Sequence, residues 1–443
     1  FLISALVLAF VYSFLIPPFC VPDERAHIDA VYTISNEMLG INEIPAPGRI
    51  YKRADDIDAT KENTMDVTTE RYRETFENIF GKSADETLQV AYADNPVGNV
   101  TFLNYLPAAV GFTIARLLHF NTMTMIMFGR WMNALASILL MWIAIRKLPF
   151  GKASFAVFGL FPIILQQVAS CSYDGILLGA MFVYFAYAFS LMYGKQKSIC
   201  DFGIMLMTGG FAAAACKGGV YIPLLGLVLL VCWEIGNNLK EKIGWTLGAA
   251  IPVGMVFVGQ FSQKIWGMLV RTSGSAYRSG VELYNLSDLL HEPNKLVRIY
   301  QNTVNLLGDS YIQESIGGKL GRLNVYIPWY IMIAFLFLVV LSTVTQEGEK
   351  SYIRKGQRCF IVLLSCISAG LVMLSMLLAW TQNTYNYIIG VQGRYFLPAI
   401  GVLILSLGNN KIKLMNVRKE KMIQIAVLLN TVVCGFALLS VWK

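Results

Sequence analysis

Three candidate residues, Asp23, Glu24 and His27, follow the first apolar segment, in the stretch PPFCVPDERAH that ends at His27. Asp23 and His27 are four positions apart, so they share one face if the stretch is helical, and Glu24 lies beside that face. A carboxylate and an imidazole at a lipid–water boundary suit proton abstraction from a hydroxyl group. Two alternatives remain: the three side chains could hold a divalent metal, or the two acids could simply favour the start of a helix.

A further carboxylate, Asp174, lies in SCSYDGILLG, a very short turn between two apolar segments. If the chain alternates across a bilayer, this turn lies at the same membrane boundary as Asp23. We therefore predict that Asp174 contacts a substrate. A turn aspartate without a functional role fits the pattern equally well.

Three cations lie within or at the ends of apolar segments, where an ionisable residue marks a functional site by default. Lys217 in AAAACKGGVYIP follows four alanines, which allow close helix packing. Arg394 in VQGRYFLP has Tyr395 beside it, and arginine binds phosphate with two parallel hydrogen bonds. Arg130 lies about two turns into an apolar segment and should face the interior or a wet cavity. Lys217, Arg394, Tyr395 and Arg130 are candidates for binding an anionic substrate. Alternatively, they could be interfacial anchors, and Arg130 could pair with an acid in a purely structural role.

The composition indicates which elements must position these residues. Of 443 residues, 56% are hydrophobic and 14% are charged, whereas soluble domains carry about 25% charged residues. The net charge of +8 owes much to short loops such as IRKLPFGK and NNLKEK, which act as orientation signals, so no nucleic-acid partner is expected. There is no phosphate-binding glycine loop, and the eight cysteines show no metal-ligand spacing. These features predict a polytopic membrane protein.

Eleven apolar segments approach the roughly 20 residues that a span requires. They cover residues 1–16, 122–145, 151–170, 173–193, 201–216, 219–233, 243–260, 326–345, 358–380, 394–408 and 421–441. Placing the basic loops in the cytoplasm leaves 17–121 and 261–325 as two long extracytoplasmic loops. Within the first, residues 102–120 are expected to form a helix in the interface or re-entering the outer leaflet. The predicted fold class is an all-α polytopic membrane protein with about 11 transmembrane helices.

Several stretches resemble one family. PPFCVPDERAHIDAVYTIS resembles the P-P-D-E-x-x-H opening of bacterial polytopic proteins grouped as domain-of-unknown-function family 2142. NYLPAAVGFTIARLL, ASCSYDGILLGA and GVQGRYFLPAIGVL resemble its later landmarks, so the resemblance covers nearly the whole chain. That family in turn resembles the GT-C superfamily of glycosyltransferases that use lipid-phosphate sugars. The implied organisation is a GT-C-like module over 1–260, the second outer loop over 261–325 and C-terminal helices over 326–443.

The GT-C resemblance assigns roles to several of the candidates. Those enzymes carry a catalytic acid just after the first span, a position matched by Asp23 or Glu24. Their acid after the third span is matched by Asp174, and their lysine before the sixth span by Lys217. Gly219 stands where their lysine motif has proline, which weakens that one match.

The residues and the resemblance together predict a glycosyltransferase of the bacterial cell membrane with an extracytoplasmic active site. Lys217 and Arg394 would hold the phosphate of a polyprenyl-phosphate sugar donor. An acidic base, Asp23 or Glu24, would deprotonate a hydroxyl of a glycan or cell-wall acceptor, inverting the anomeric carbon. No soluble cofactor is implied and a divalent metal is optional.

Two other functions remain open. A transporter or flippase for a lipid-linked glycan would typically show paired broken helices and an inverted repeat. A non-catalytic partner in cell-envelope assembly would bind a protein through its outer loops.

Overall fold

The computed structural model describes residues 1–60, 65–93, 102–195, 197–215, 219–250, 277–278, 280–346, 353–414 and 419–442, and these are mostly helical. The α-helices are α1 (Leu2–Leu15), α2 (Glu24–Met38), α3 (Ala54–Ala59), α4 (Thr69–Asn78), α5 (Leu106–Leu117), α6 (Thr122–Lys147), α7 (Lys152–Phe158), α8 (Pro162–Val168), α9 (Asp174–Tyr193), α10 (Ile199–Ala215), α11 (Ile222–Leu225), α12 (Leu227–Ile235), α13 (239–250), α14 (Leu286–His291), α15 (Pro293–Ile316), α16 (Trp329–Thr343), α17 (Lys355–Ala379), α18 (Leu397–Ser406) and α19 (Lys419–Val441). Short 3-10 helices cover Phe102–Asn104 and Gly393–Phe396.

Four of the described helices, α6, α9, α17 and α19, are long and apolar enough to cross a membrane. Six shorter apolar helical stretches accompany them: Leu2–Leu15, Leu106–Leu117, Ile199–Ala215, Ile222–Ile235, Trp329–Thr343 and Gly393–Ser406. The helical membrane class is consistent with this pattern, but the predicted count of eleven spans is not confirmed. Residues 251–260 of the seventh predicted span lie outside the described residues.

Two predicted spans are interrupted. The segment 151–170 divides into α7 and α8, because Pro162 opens the second helix and holds Phe161 in an extended conformation. The segment 219–233 divides at Gly226 into α11 and α12. Hydropathy alone did not show either break, since apolar residues continue through both.

Both long polar stretches contain regular structure, and a few short strands accompany the helices of the all-α class. The described residues include four two-stranded sheets. The first polar stretch carries an antiparallel pair, and the only parallel pair among the described residues joins β7 to β8. The strands are β1 (Arg49–Arg53), β2 (Leu88–Tyr92), β3 (Tyr277–Arg278), β4 (Val281–Glu282), β5 (Lys319–Leu320), β6 (Val325–Tyr326), β7 (Val344–Gln346) and β8 (Asn409–Leu414).

The helix predicted over residues 102–120 exists as α5 and packs closely against α6. A Cβ added at Gly111 of α5 would lie 2.3 Å from the carbonyl oxygen of Phe128 in α6. Only glycine allows the two backbones to approach so closely. The structure thus shows how α5 is attached to the bundle, while its depth in the membrane stays a prediction.

The centre of the bundle is α9, which is buried almost throughout, as expected of a helix that is apolar on every side. It contacts α6, α8, α10, α12 and α18. A Cβ at Gly175 would lie 2.8 Å from Ser137 Oγ, and one at Gly179 would lie 2.9 Å from Leu140 Cβ. This close approach to α6 fixes the N-terminal end of α9, where Asp174 lies.

Candidate active site

A cavity of about 490 Å³ collects several of the predicted site residues. Asp23 and His27 of the first polar stretch line it together with Asp174 and Tyr395. Much of the remaining wall is apolar or aromatic: Ala26, Tyr105, Tyr173, Leu177, Val220, Tyr221, Val372, Met376 and Trp380. A mostly apolar cavity with a few convergent polar groups is typical of a small-molecule site.

Arg394 lines a small adjoining cavity and pairs with both acids of the first one. Its Nη2 lies 2.9 Å from Asp23 Oδ2, and its Nη1 lies 3.4 Å from Asp174 Oδ2. Nη1 also donates a 3.4 Å hydrogen bond to Gln167 Oε1. The arginine side chain is 3% exposed, whereas that of Asp23 is 53% exposed. Three residues far apart in sequence therefore form one charged group, with Asp23 as its most accessible member.

The partners of Arg394 correct one premise of the sequence interpretation. That interpretation assigns Arg394 to an anionic substrate, and no acid lies near it along the chain. In the structure, two carboxylates already lie beside its guanidinium. Phosphate binding by Arg394 stays a prediction, since it would require this arginine to share or exchange its partners.

The end of α15 holds the backbone beside Arg394. Gly393 N donates to Glu314 Oε2 at 2.9 Å, and Ser315 Oγ donates to the Gly393 carbonyl at 2.9 Å. A Cβ at Gly393 would lie 2.5 Å from the Tyr311 carbonyl oxygen and from Ser315 N. The glycine before Arg394 is thus required by close packing against α15, and the packing directs the arginine towards the acids.

Asp23 precedes the first residue of α2 in an unusual backbone conformation. Its φ of 61° and ψ of 5° are left-handed, a region that non-glycine residues seldom occupy and that occurs at functional sites. Its side chain does not cap the helix by a hydrogen bond. The carboxylate is directed to Arg394 instead, so the role of a simple helix-start acid does not describe Asp23.

Glu24, the other candidate base, is fully buried away from solvent. Its Oε2 lies 2.5 Å from Arg130 Nη2, and both side chains are 0% exposed. Glu24 also accepts hydrogen bonds from Phe19 N at 3.0 Å and Cys171 N at 3.2 Å. It does not line the cavity among the described residues, so the geometry does not support Glu24 as a base.

Arg130 likewise serves the interior of the fold. Its Nη1 donates to the carbonyls of Ser13 and Ile16 at 2.9 and 2.6 Å, and its Nη2 donates to Pro17 O at 3.0 Å. The guanidinium therefore satisfies the carbonyls that the end of α1 leaves without helical partners. Of the two interpretations of Arg130, the structure favours the structural partner of an acid over a substrate ligand.

His27 and Tyr105 form a buried pair in the cavity wall. The Tyr105 hydroxyl lies 2.8 Å from His27 Nδ1, and the His27 ring meets Tyr173 edge-on at 5.3 Å. Burial, followed by repulsion from Asp174, raises the pKa of the Tyr105 hydroxyl above its usual range. Tyr105 therefore stays protonated and available for hydrogen bonding at neutral pH.

Two further predictions concern Lys217 and a possible metal site. Lys217 lies outside the described residues, so its predicted phosphate contact is not tested. The metal alternative required Asp23, Glu24 and His27 to converge. In the part of the chain that the structure describes, no three His, Cys, Asp or Glu side chains form a group able to hold a metal ion.

The sequence interpretation missed several residues of the site. Tyr105, Tyr173 and Trp380 line the cavity, and Gln167 contacts Arg394. Tyr173 directly precedes the candidate Asp174, and Tyr105 directly precedes the first residue of α5. These positions are the sequence features by which the two tyrosines could have been identified. For Gln167 and Trp380 nothing in the local sequence distinguishes them from ordinary helix-end residues.

Comparison with known proteins gives one match. The family model of domain-of-unknown-function family 2142, described as a predicted membrane protein, matches residues 6–403. No curated protein and no solved structure matches the chain. The match spans α1 to α18 and therefore includes every described residue of the cavity.

Proposed function

This chain belongs to domain-of-unknown-function family 2142, a family of predicted membrane proteins, and from the chemistry of its cavity we propose that it is a GT-C-type glycosyltransferase. It moves a sugar from a polyprenyl-phosphate donor to a cell-envelope acceptor on the extracytoplasmic face. One observation carries the proposal: Asp23, Asp174 and Arg394, distant in sequence, form one ion-paired group beside a cavity that the two acids line. Ionisable groups gathered in an otherwise apolar cavity are candidates for catalysis.

Asp23 is the proposed general base. Its carboxylate is half-exposed at the cavity, and Arg394 stabilises its ionised form at 2.9 Å. An acceptor hydroxyl gives its proton to Asp23 while its oxygen bonds to the anomeric carbon. The bond from that carbon to the phosphate oxygen breaks, and the electron pair leaves with the polyprenyl phosphate. This single displacement inverts the anomeric centre.

The apolar side of the cavity suits the lipid part of the donor. Leu177, Val372 and Met376 line the same cavity as the acids, so an isoprenoid chain and a reacting sugar could be accommodated together. The leaving phosphate needs positive charge in a site with little water, where such stabilisation is often the largest catalytic contribution. Lys217 and Arg394 are the proposed sources of that charge.

One observation favours the transporter as a second candidate. The apolar segment of α7 and α8 is interrupted at Gly159 to Phe161, and that of α11 and α12 is locally distorted at Gly226, whose backbone stays right-handed helical. Broken helices near a substrate site are typical of secondary transporters. The charged group, however, lies at the predicted outer boundary of the membrane, whereas transporters bind their substrates near the midplane, which favours the transferase.

The decisive experiment compares Asp23→Asn with Asp66→Asn in a transfer assay with a radiolabelled polyprenyl-phosphate sugar. Amidation removes the base but keeps the shape, so transfer should fall by about 10²–10⁴-fold in Asp23→Asn. Asp66 is exposed in the same polar stretch and does not line the cavity, so its variant should keep full activity.

Full transfer by Asp23→Asn would refute the proposed base. Donor translocation in proteoliposomes by the wild type, without any transfer, would instead support the transporter. If the protein neither transfers nor translocates the sugar but binds another envelope protein through its outer loops, the result would support the assembly-partner function.

The orientation is tested separately by cysteine labelling in intact cells. Exposed positions Asn42 and Asn294 should react with a membrane-impermeant reagent after replacement by cysteine, and Lys240 and Lys355 should not. The exposed native cysteines Cys200, Cys359 and Cys366 are first replaced by serine to remove background. The reverse pattern would place the cavity on the cytoplasmic face and contradict an extracytoplasmic acceptor.

A further inference from the structure

A second cavity, of about 550 Å³, lies at the N-terminal end of α15, away from the charged group described above. It shares no lining residue with the first cavity. His291 and Lys295 line it, together with Arg298 one turn further along the helix. Glu292 is the acid among the lining residues, so the wall carries an excess of positive charge.

The cation best placed to bind a ligand is Arg298. Lys295 has the Glu292 carboxylate at 4.0 Å, and its ammonium lies 5.6 Å from the centre of the Tyr284 ring. Among the described residues, Arg298 has no carboxylate within ion-pair distance. Its planar fork of donors matches phosphate or carboxylate oxygens, and the dipole of the 24-residue helix α15 favours an anion at this end.

The remaining lining groups suit a sugar ring. Tyr284 offers an aromatic ring, and Asn302, Asn294 and Asn386 offer amide groups that can donate to and accept from hydroxyls. The cavity is also held in shape: the Tyr284 hydroxyl donates to Tyr385 O at 2.5 Å, and Asn302 Nδ2 donates to Asn386 O at 3.1 Å.

One chain segment connects the two cavities. Gly390 lines the first cavity, and Asn386 lines the second. They are four positions apart, so their Cα atoms are at most about 14 Å apart. Thr303 of α15 fixes the segment between them by accepting a 2.9 Å hydrogen bond from Ile388 N. Arg394 lies next to Gly393, which contacts Ser315, about 25 Å along α15 from Arg298. An oligosaccharide, rather than a single sugar, bound at the second cavity could therefore extend to the reacting end at Asp23.

We propose that this second cavity is a binding site for an anionic saccharide, a sugar unit bearing phosphate or carboxylate, that belongs to the acceptor polymer. The role as acceptor site rests on the proposed transferase function, whereas the binding of the anionic sugar does not. The site gives the acceptor a second point of attachment, so a charged polymer is preferred over a neutral one.

The test measures binding of glucose phosphate, glucuronate and neutral glucose to the purified full chain by ligand-observed NMR. The two anions should bind and glucose should not. Arg298→Gln should weaken anion binding about tenfold or more, because a charge-assisted pair is lost. Lys240→Gln, which removes an exposed lysine outside the cavity, should leave binding unchanged.

Two results would overturn the inference. Equal anion binding by the wild type and Arg298→Gln would show that the cavity is not the site. Loss of binding to phosphatidylglycerol nanodiscs in Arg298→Gln, with no soluble anion bound by either protein, would identify a lipid-headgroup site instead. Asp23→Asn separates the two proposals: it should lose transfer yet bind the anions as the wild type does. If that variant kept its transfer activity, the proposed base would fail while anion binding still stood.

Discussion

Two neighbouring acids, Asp23 and Glu24, belong to two different charged groups. Glu24 pairs with Arg130 in a group that is wholly buried, and its other oxygen contacts are backbone N–H groups. Asp23 pairs with Arg394 beside an open cavity and is 53% exposed. We call Glu24 with Arg130 the sealed pair, and Asp23 with Arg394 and Asp174 the cavity group. Two adjacent residues therefore differ in role: Glu24 is a structural carboxylate, whereas Asp23 is accessible to a substrate.

The difference shows how a membrane protein uses charge for two purposes at once. The sealed pair joins the end of α1, the start of α2, α6 and the turn at Cys171. The start of α2 adjoins Asp23, and the turn at Cys171 adjoins Asp174 of the cavity group. We infer that the sealed pair acts as a positioning device: it fixes the backbone on both sides of the cavity and leaves Asp23 free of a capping role.

The largest effect is expected from Glu24→Gln, which should lower the free energy of unfolding by about 3–5 kcal/mol, because Arg130 would remain as a buried, uncompensated charge. Asp23→Asn should cost about 1 kcal/mol or less, because its carboxylate is half-exposed and Arg394 keeps Asp174. Thermal unfolding in detergent, with protein yield, measures both variants.

The double variant Glu24→Gln with Arg130→Gln sharpens this result. Removing both charges should recover part of the lost stability, since no lone ion is left in the interior. If Glu24→Gln unfolds at the wild-type temperature, the sealed pair contributes little to stability. The distinction between a structural and an accessible charged group would then be wrong.

A smaller effect is expected from Arg394→Lys. Lysine keeps the charge but offers a single ammonium, so it cannot contact Asp23 through one nitrogen and Asp174 with Gln167 through another, as arginine does. We expect turnover to fall about ten- to hundredfold, the loss of one charge-assisted contact. The unfolding temperature should change much less than in Glu24→Gln. An Arg394→Lys protein with normal turnover would show that the fork geometry is not used.

The helical membrane class could be predicted from the sequence, because long continuous runs of apolar residues are typical of segments in contact with lipid. The count of eleven spans is not confirmed, since only four of the described helices are long enough to cross a membrane. Hydropathy did not predict the break between α7 and α8, although Pro162 was visible in the sequence. A proline at the first turn of a helix and one that interrupts a helix look alike without knowledge of the neighbouring packing. The four small sheets were missed for a related reason: the strands are short, and pairing depends on contacts far along the chain.

The candidate site was predicted in part. Asp23, His27, Asp174, Arg394 and Tyr395 were selected by residue type at apolar boundaries, and the structure brings them together. The same criteria also selected Glu24 and Arg130, because spacing cannot distinguish a buried pair from an accessible one. That distinction depends on side-chain direction over 106 residues of sequence separation.

The smallest effect is expected from Tyr105→Phe, which removes the hydroxyl that lies 2.8 Å from His27 Nδ1. The lost contact should cost about 1 kcal/mol of stability, because a buried polar atom loses a partner. Tyr193→Phe is the matched control: its hydroxyl donates to Gln357 Oε1 at 2.7 Å, at the opposite end of α9 from Asp174 and about 28 Å away along that helix.

Both phenylalanine variants should lose a similar amount of stability, so stability alone cannot reveal a role at the site. Transfer activity separates them. If His27 and Tyr105 orient the acceptor beside Asp23, Tyr105→Phe should raise KM or lower kcat severalfold, whereas Tyr193→Phe should change neither. Equal kinetics in the two variants would assign the His27–Tyr105 pair to packing, as with the sealed pair, and would confine the chemistry to Asp23, Asp174 and Arg394.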